Sequence, residues 1–334
     1  MRSFRLGAGV AALALVIAAC SSGGGDSSDS SDSPGSGSSE PTEAEAPSVR
    51  AVTLNVLHGL FCDPETDSCQ AQTRAELVAD ALEAAGCPEL VGLQEVGPRQ
   101  EEVIPVAMAE VCDGDYEIAW DGQPSPDRAM TLTTLPIIDR TYLDLAAFPW
   151  EAYRIRVDSD LGPVDFLTTH FASSSNNPAC TSETCPPVCT PGISSNECNA
   201  AEVLDFYDAN RDGAVLQIVS GDLNATPGTP TITTFTAAGF ADAWLEAGLA
   251  ECDEVTGVGC TGGRDRPDNL LDGLDVPEGH YTERIDFILA RPSADCDLSG
   301  AAEGFLAEPL AEPVGELYWA SDHAGVLADL SCGS

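Results

Sequence analysis

The 334-residue chain has no lysine. Its 14 basic side chains are all arginine and stand against 55 acidic ones, for a formal charge of −41. This deficit argues against the broad basic groove with which nucleic-acid-binding proteins track phosphates. It leaves room for a small phosphoester, because a metal ion can reverse the field inside one pocket. Histidine is scarce too, with four in the whole chain, so any that fall at strand ends beside other polar residues stand out. Long apolar runs are missing: the longest, Leu6 to Ala19, is too short to span a bilayer. Internal repeats are absent, as is any second low-complexity break, so nothing divides the folded part.

What is present begins with a leader. Arg2 and Arg5 precede the apolar run, the layout of a secretory signal. The run ends in "VIAAC", which resembles the lipobox of bacterial lipoproteins. That resemblance implies removal of residues 1–19 and lipid modification of Cys20. Residues 20–48 are rich in Ser, Gly and acidic residues with almost nothing to bury, and read as a disordered tether between membrane and domain. The folded domain is expected over 49–334. The localisation implied is the cell envelope, lipid-anchored and extracytoplasmic.

Thirteen cysteines less Cys20 leave an even number, which in a secreted chain implies disulfides. Cys62/Cys69 and Cys252/Cys260 bracket short loops and read as local pairs. Cys180, Cys185, Cys189 and Cys198 fall in one segment without a histidine nearby, a pattern of two staples on a long loop rather than a zinc site. The pairing among those four stays open.

Along the domain one pattern recurs: an apolar β-type run that ends in a polar residue. "VRAVTLNVLHGL" gives a strand over Val49–Val56 with Asn55 near its end. "QTRAELVADALEAAG" is an amphipathic helix stopped by Gly86. "ELVGLQEV" is a second strand closing on Gln94 and Glu95, followed by a helix over Arg99–Val111. "PVDFLTTHF" ends at His170, and "AVLQIVSGDLN" delivers Asp222 and Asn224. "ERIDFILA" places Asp286 within a strand, and "WASDHAGVLADL" sets Asp322 and His323 before the last one. Asp222 and Asn224 taken alone are ordinary turn formers. Their chemistry becomes the better reading only with the rest of the set.

Taken in order, "TLNVLHG", "GLQEV", "TTHF", "SGDLNATP", "GFADAW", "RIDFI" and "SDHAGV" resemble the motifs of the endonuclease/exonuclease/phosphatase superfamily. It includes DNase I-like nucleases, abasic-site endonucleases, inositol polyphosphate phosphatases and bacterial sphingomyelinases. The resemblance implies a DNase I-like, four-layer α/β sandwich of two mixed β-sheets flanked by helices, with the site at one end. It implies Asn55 and Glu95 as ligands of a divalent metal, with Asp322 as a further or water-mediated one. Their hard oxygens suit Mg²⁺, with Mn²⁺ or Ca²⁺ as alternatives. It also implies His170 and Asn224 as phosphate-binding groups, Asp222 as the carboxylate that orients or deprotonates water, and Asp286 with His323 as an Asp–His pair.

The function expected is a metal-dependent hydrolase of small or lipid-derived phosphodiesters or phosphomonoesters, working as a monomer. An extracellular nuclease is the alternative. Val96, Gly97 and Pro98, where nuclease-type members often carry basic residues, weigh against it, and "DRAMTLTTLPI" resembles the family's corresponding strand only loosely. A non-catalytic surface binding module is the third reading, disfavoured because no member of the set is missing. Three features carry no site. His58 reads as a rim or structural residue, and His280 as part of a solvated loop. "DANRDG" starts like a calcium loop but lacks the required Glu at its twelfth position, which is Val219.

Replacing Cys20 by Ser is expected to release the protein from membranes without altering the domain. Fractionation of cells expressing both forms checks this, and a Ser variant that still sediments with membranes rules out the lipid anchor.

Overall fold

The computed structural model describes residues 47–57, 67, 69–119, 128–146, 151–173, 177–264 and 273–333. The leader, Cys20, the tether as far as residue 46, His58 and Cys62 lie outside them. The strands are β1 (Ser48–Asn55), β2 (Leu90–Val96), β3 (Glu117–Ala119), β4 (Arg128–Thr133), β5 (Ile137–Asp144), β6 (Glu151–Ser159), β7 (Gly162–His170), β8 (Leu216–Asp222), β9 (Ala241–Asp242), β10 (Asp286–Pro292), β11 (Asp297–Phe305) and β12 (Gly325–Gly333). The α-helices are α1 (Ala71–Ala84), α2 (Pro98–Met108), α3 (Ser195–Ala209), α4 (Pro230–Ala237) and the short α5 (Ala243–Glu246). No helix among the described residues is long and apolar enough to cross a membrane.

The strands form two six-stranded sheets, ordered β11-β12-β1-β2-β4-β3 and β5-β6-β7-β8-β10-β9. Each is mixed: β1 and β2 run parallel at the middle of the first sheet, β7 and β8 at the middle of the second, and the other pairings are antiparallel. The period-2 alternation of a strand decides which residues go where. On β1, Val52 and Leu54 turn outward onto Leu77, Val78 and Leu82 of α1 and Val103 and Ile104 of α2. Val49 and Ala51 turn inward, where they meet Val164, Phe166, Leu216, Ile218 and Ile288 of the other sheet. Outside that second sheet, Leu167, Val219, Phe287 and Leu289 pack against Val203 and Tyr207 of α3 and Ile232 and Phe235 of α4. The result is helix, sheet, sheet, helix: the expected four-layer sandwich.

Helix boundaries follow local chemistry. α1 ends where expected, with Gly86 at φ 77° and the Cys87 N–H donating back to the Leu82 carbonyl. α2 opens on Pro98 and stops at Met108, three residues short of the expected Val111, which is followed by a turn built around Cys112 and Asp113. That turn is tied to the end of α1 by the Cys87–Cys112 disulfide. The expected Cys252–Cys260 pair is present, and the four-cysteine segment carries two staples, Cys180–Cys185 and Cys189–Cys198. Cys296 pairs with Cys332. Cys69 is disulfide-bonded, while its expected partner Cys62 lies outside the described residues.

The interior changes character along the strands. At one end the inward residues are aliphatic; at the other they are Thr53, Gln94, Thr131, Thr168 and Ser220, all buried. The Thr131 and Thr168 hydroxyls bond across the gap at 2.8 Å. The sheets come this close because β2 has glycine there: a Cβ on Gly92 would lie 2.5 Å from Ser220 Oγ and 2.8 Å from Thr168 Oγ1. Gly92→Ala is therefore expected to destabilise the protein by about 1–3 kcal/mol through overpacking. Urea unfolding measures it; an unchanged midpoint shows that the sheets separate freely at this point.

Candidate active site

The two parallel pairs make the carboxyl ends of β1, β2, β7 and β8 coincide at the polar end of the sandwich. Antiparallel β10 starts there, and the loop before β12 enters there. Asn55, Glu95, His170, Asp222, Asn224, Asp286, Asp322 and His323 are thereby gathered from six separate segments. Asp286 is the first residue of its strand rather than an interior one, paired directly with Asp222.

Hydrogen bonds fix the cluster. Asn55 Nδ2 donates to Glu95 Oε1 at 3.0 Å and to Asp222 Oδ2 at 3.1 Å, so one amide spans both sheets. Asn224 Nδ2 lies 2.9 Å from His170 Nε2 and donates to the Phe171 carbonyl at 2.9 Å. The other Asp222 oxygen, Oδ1, accepts from the Asn224 N–H at 2.9 Å. That contact is an Asx turn, so Asp222 is a turn former and a site carboxylate at once. Glu95 reaches the site through a bulge: the β2–β4 register shifts between Leu93 and Val96, and Glu95 sits at φ 58°. Asn224 is also left-handed, at φ 46°. Backbone strain of this kind is held at both positions by the surrounding structure.

His323 Nδ1 lies 3.0 Å from Asp286 Oδ2, and its Nε2 points towards Asp222 Oδ2 at 3.8 Å. Burial opposes a charge on the His323 imidazole, but the Asp286 and Asp222 carboxylates outweigh it and raise its pKa well above the usual value. Burial raises the Asp286 carboxyl to about 6, against the opposing pull of His323. The Ser321 hydroxyl donates to the Asn55 carbonyl at 2.6 Å and holds the Asp322–His323 segment against the end of β1.

The residues fit a divalent cation. Asn55, Glu95 and Asp322 offer hard oxygen donors, and the nearby carboxylates of Asp222 and Asp286 add negative charge that favours a cation. Among the described residues, ligand atoms of Asp222, Asp286 and His323 also lie within 4.8 Å of one another. In that second group Asp286 and His323 are already hydrogen-bonded to each other at 3.0 Å, while His323 Nε2 stands 3.8 Å from Asp222 Oδ2.

Arg74 is the functional neighbour that sequence reasoning missed. On α1 it passes for surface charge, yet it is only 3% exposed. Its guanidinium donates to the carbonyls of Cys69, Val56 and Leu57, lashing the loop after β1 to the helix. Burial pulls its pKa down to about 10, against the opposing effect of Asp322, Asp67 and Glu95. Gln100 Nε2 donates to the same Leu57 carbonyl at 2.8 Å. Asn196 of α3 donates to the Asn224 carbonyl at 3.2 Å. Signals for all three were absent, because each acts through backbone carbonyls that carry no sequence mark. The rejected candidates stay outside: Asp208 of "DANRDG" pairs with Arg291 at 2.8 Å, and half-buried His280 contacts the Glu254 carbonyl.

Residues 52–323 match the Endonuclease/Exonuclease/phosphatase family. Among solved structures, an endonuclease/exonuclease/phosphatase from Bacteroides vulgatus is 19% identical over 86% of this chain and 99% of that one, at a TM-score of 0.60. A mannosyl-6-phosphatase from Bacteroides thetaiotaomicron is 14% identical over 84% and 99%, at 0.61. TDP2 from Caenorhabditis elegans is 17% identical over 86% and 77%, at 0.56. At these identities the likeness attests the fold. The curated proteins contain no match.

Arg74→Met is expected to cost roughly 2–4 kcal/mol of stability, because it leaves buried carbonyls without donors. Equilibrium denaturation measures the loss, and a change below about 0.5 kcal/mol denies Arg74 its bracing role.

Proposed function

Because the chain belongs to the endonuclease/exonuclease/phosphatase family, we propose that it is a divalent-metal-dependent phosphoester hydrolase. Its substrate is a small or lipid-derived phosphodiester or phosphomonoester, met outside the cytoplasm. The observation that carries the catalytic reading is the setting of Asp222 Oδ2: 3.1 Å from Asn55 Nδ2, 3.5 Å from His170 Nε2 and 3.8 Å from His323 Nε2. A carboxylate among an amide and two imidazoles can take a proton from water while its neighbours receive phosphoryl oxygens.

A cation held by Asn55, Glu95 and Asp322 would supply Lewis-acid stabilisation of charge on the phosphoryl group. The chain's own residues do the rest. Asn224 and His170, 2.9 Å apart and paired with each other here, would turn N–H donors to non-bridging oxygens when substrate enters between them. Asp286 fixes the His323 ring through Nδ1, so that Nε2 faces the reacting centre, and the raised pKa of His323 supports an imidazolium that stabilises the developing charge. Asp222 orients the attacking water. An extracytoplasmic setting is supported by the five disulfides with both ends described. Lipid anchoring rests on the "VIAAC" segment alone.

The preference for a small substrate draws on where the arginines go. Arg50, Arg99, Arg140, Arg154, Arg156, Arg284 and Arg291 pair with carboxylates. Arg74 and Arg264 donate to backbone carbonyls. Arg211 is exposed but lies just ahead of β8, at the end of that strand opposite Asp222. Among the described side chains, then, no arginine stands ready at the site to grip successive phosphates. A polyanion would meet uncompensated negative charge over a Debye length of ~8–10 Å.

The decisive assay compares bis-p-nitrophenyl phosphate, sphingomyelin, inositol phosphates and duplex DNA with Mg²⁺, Mn²⁺ and Ca²⁺ over a range of salt. Higher kcat/KM is expected on a small or lipid phosphoester, with any DNA cleavage rising as salt screens repulsion. DNA cleaved faster throughout, and falling with salt, establishes the nuclease alternative. Glu95→Gln is expected to abolish metal-dependent turnover. Asp222→Asn and His323→Ala should each cost two to three orders of magnitude, about 3–4 kcal/mol of barrier. Near-normal turnover in any of the three removes that residue from the mechanism.

A further inference from the structure

We propose that Thr261 is the positioning residue that sets the Asp286–His323 pair, through hydrogen bonds to the backbone N–H of Asp286 and to that of Ala324 beside His323. Thr261 is buried, in the loop between α5 and β10. Its hydroxyl accepts from the backbone N–H groups of Ile285 and Asp286, each at 3.1 Å, and so fixes the start of β10 where Asp286 emerges. Its carbonyl accepts from the Ala324 N–H at 2.8 Å, fixing the residue that follows His323. Asp286 and His323 are 37 positions apart in the chain, and this one residue is bonded beside each of them.

The brace is itself anchored. The Thr261 and Gly262 N–H groups donate to the Glu283 carbonyl at 2.7 and 2.9 Å, while those of Thr282 and Glu283 donate to the Gly262 carbonyl at 2.9 and 3.1 Å. On the other side, Cys260 is buried and closes the Cys252–Cys260 disulfide. Gly262 completes the fit: a Cβ there would lie 3.2 Å from His323 Cε1 and 2.6 Å from Ile285 Cδ1, so the bare backbone forms one wall of the imidazole slot. An imidazole can face its substrate only if its ring plane is held, and displacements near 1 Å cost rates on the order of a hundredfold. Thr261 touches no reacting atom; it acts by holding the two that form the pair.

The inference rests on the hydrolase reading for its rate effect, but not for its spectroscopic one. Thr261→Val keeps shape and removes the acceptor, whereas Thr261→Ser keeps the hydroxyl. In the Val variant kcat is expected to fall about tenfold to a hundredfold with KM within about twofold, and Ser should recover most of the rate. Side-chain ¹H–¹⁵N spectra of the full-length protein, read without substrate, report the hydrogen-bonded Nδ1–H of His323, assigned by its loss in His323→Ala. That downfield signal should persist in wild type and Thr261→Ser and be exchange-broadened in Thr261→Val. If the Val variant does not fold, Gly262→Ala presses on the same ring with the hydroxyl intact and should broaden the same signal. An unchanged His323 signal in the folded variant overturns the proposal, as does a Ser variant as defective as Val or a wild type lacking the signal. A protein with no phosphoester turnover but with the expected spectra leaves Thr261 in place and rejects only the hydrolase reading.

Discussion

The amide of Asn55 joins the two sheets where they are hardest to join. One sheet supplies Asn55 and Glu95, the other His170, Asp222 and Asp286, and the Asn55 Nδ2 donates into both groups at 3.0 and 3.1 Å. Aliphatic packing holds the rest of the sandwich without requiring any particular separation to within an ångström. At the polar end the Asn55 and Thr131–Thr168 contacts hold the spacing to hydrogen-bond distance, because breaking them would leave further buried donors and acceptors unpaired. Gly92 permits that spacing, and the Thr131–Thr168 contact and the Asn55 bridge use it.

The same end concentrates negative charge that folding alone would not favour. Glu95, Asp222, Asp286 and Asp322 converge, and two left-handed backbone positions, Glu95 and Asn224, are tolerated to aim their side chains. What offsets this is local. His323 is drawn towards the charged form by Asp286 and Asp222, and Arg74 places a buried cation behind the loop that follows Asn55, near Asp322. A cation bound in front would complete the balance, which is why the residues make better chemical sense as a loaded site than as a structural cluster.

Much of this was legible in the chain. The strands were legible from their apolar period, and the sandwich with its working end from the resemblance that the ordered motifs carry; Asn55, His170 and Asp222 stand at strand ends, and His323 just ahead of the last strand. Cys252–Cys260 was legible because its loop is short. Cys87–Cys112 and Cys296–Cys332, separated by 25 and 36 positions, meet only after helices and strands have packed, so spacing does not reveal them. Glu95 was legible as a residue but not as a bulge, since the register slip depends on the facing strand. Arg74 and Thr261 were hidden for a different reason. Their partners are backbone carbonyls and N–H groups, which every residue type supplies, so no side-chain pattern betrays them.

Each of the five disulfides with both ends described closes a loop on one side of the seam. Cys87–Cys112 ties helix ends over the first sheet, Cys296–Cys332 joins β12 to the residue ahead of its neighbour β11, and the other three staple loops of the second half. None of these five stitches one sheet to the other. Oxidation thus toughens the rims, shortening the segments a protease could draw into an extended conformation, while the seam itself stays held by packing and a few hydrogen bonds. Among the described residues, then, the edges are covalently reinforced and the centre is not. Once the sheets part, Asn55 and Glu95 on one side lose Asp222 on the other, and the cluster comes apart as a whole.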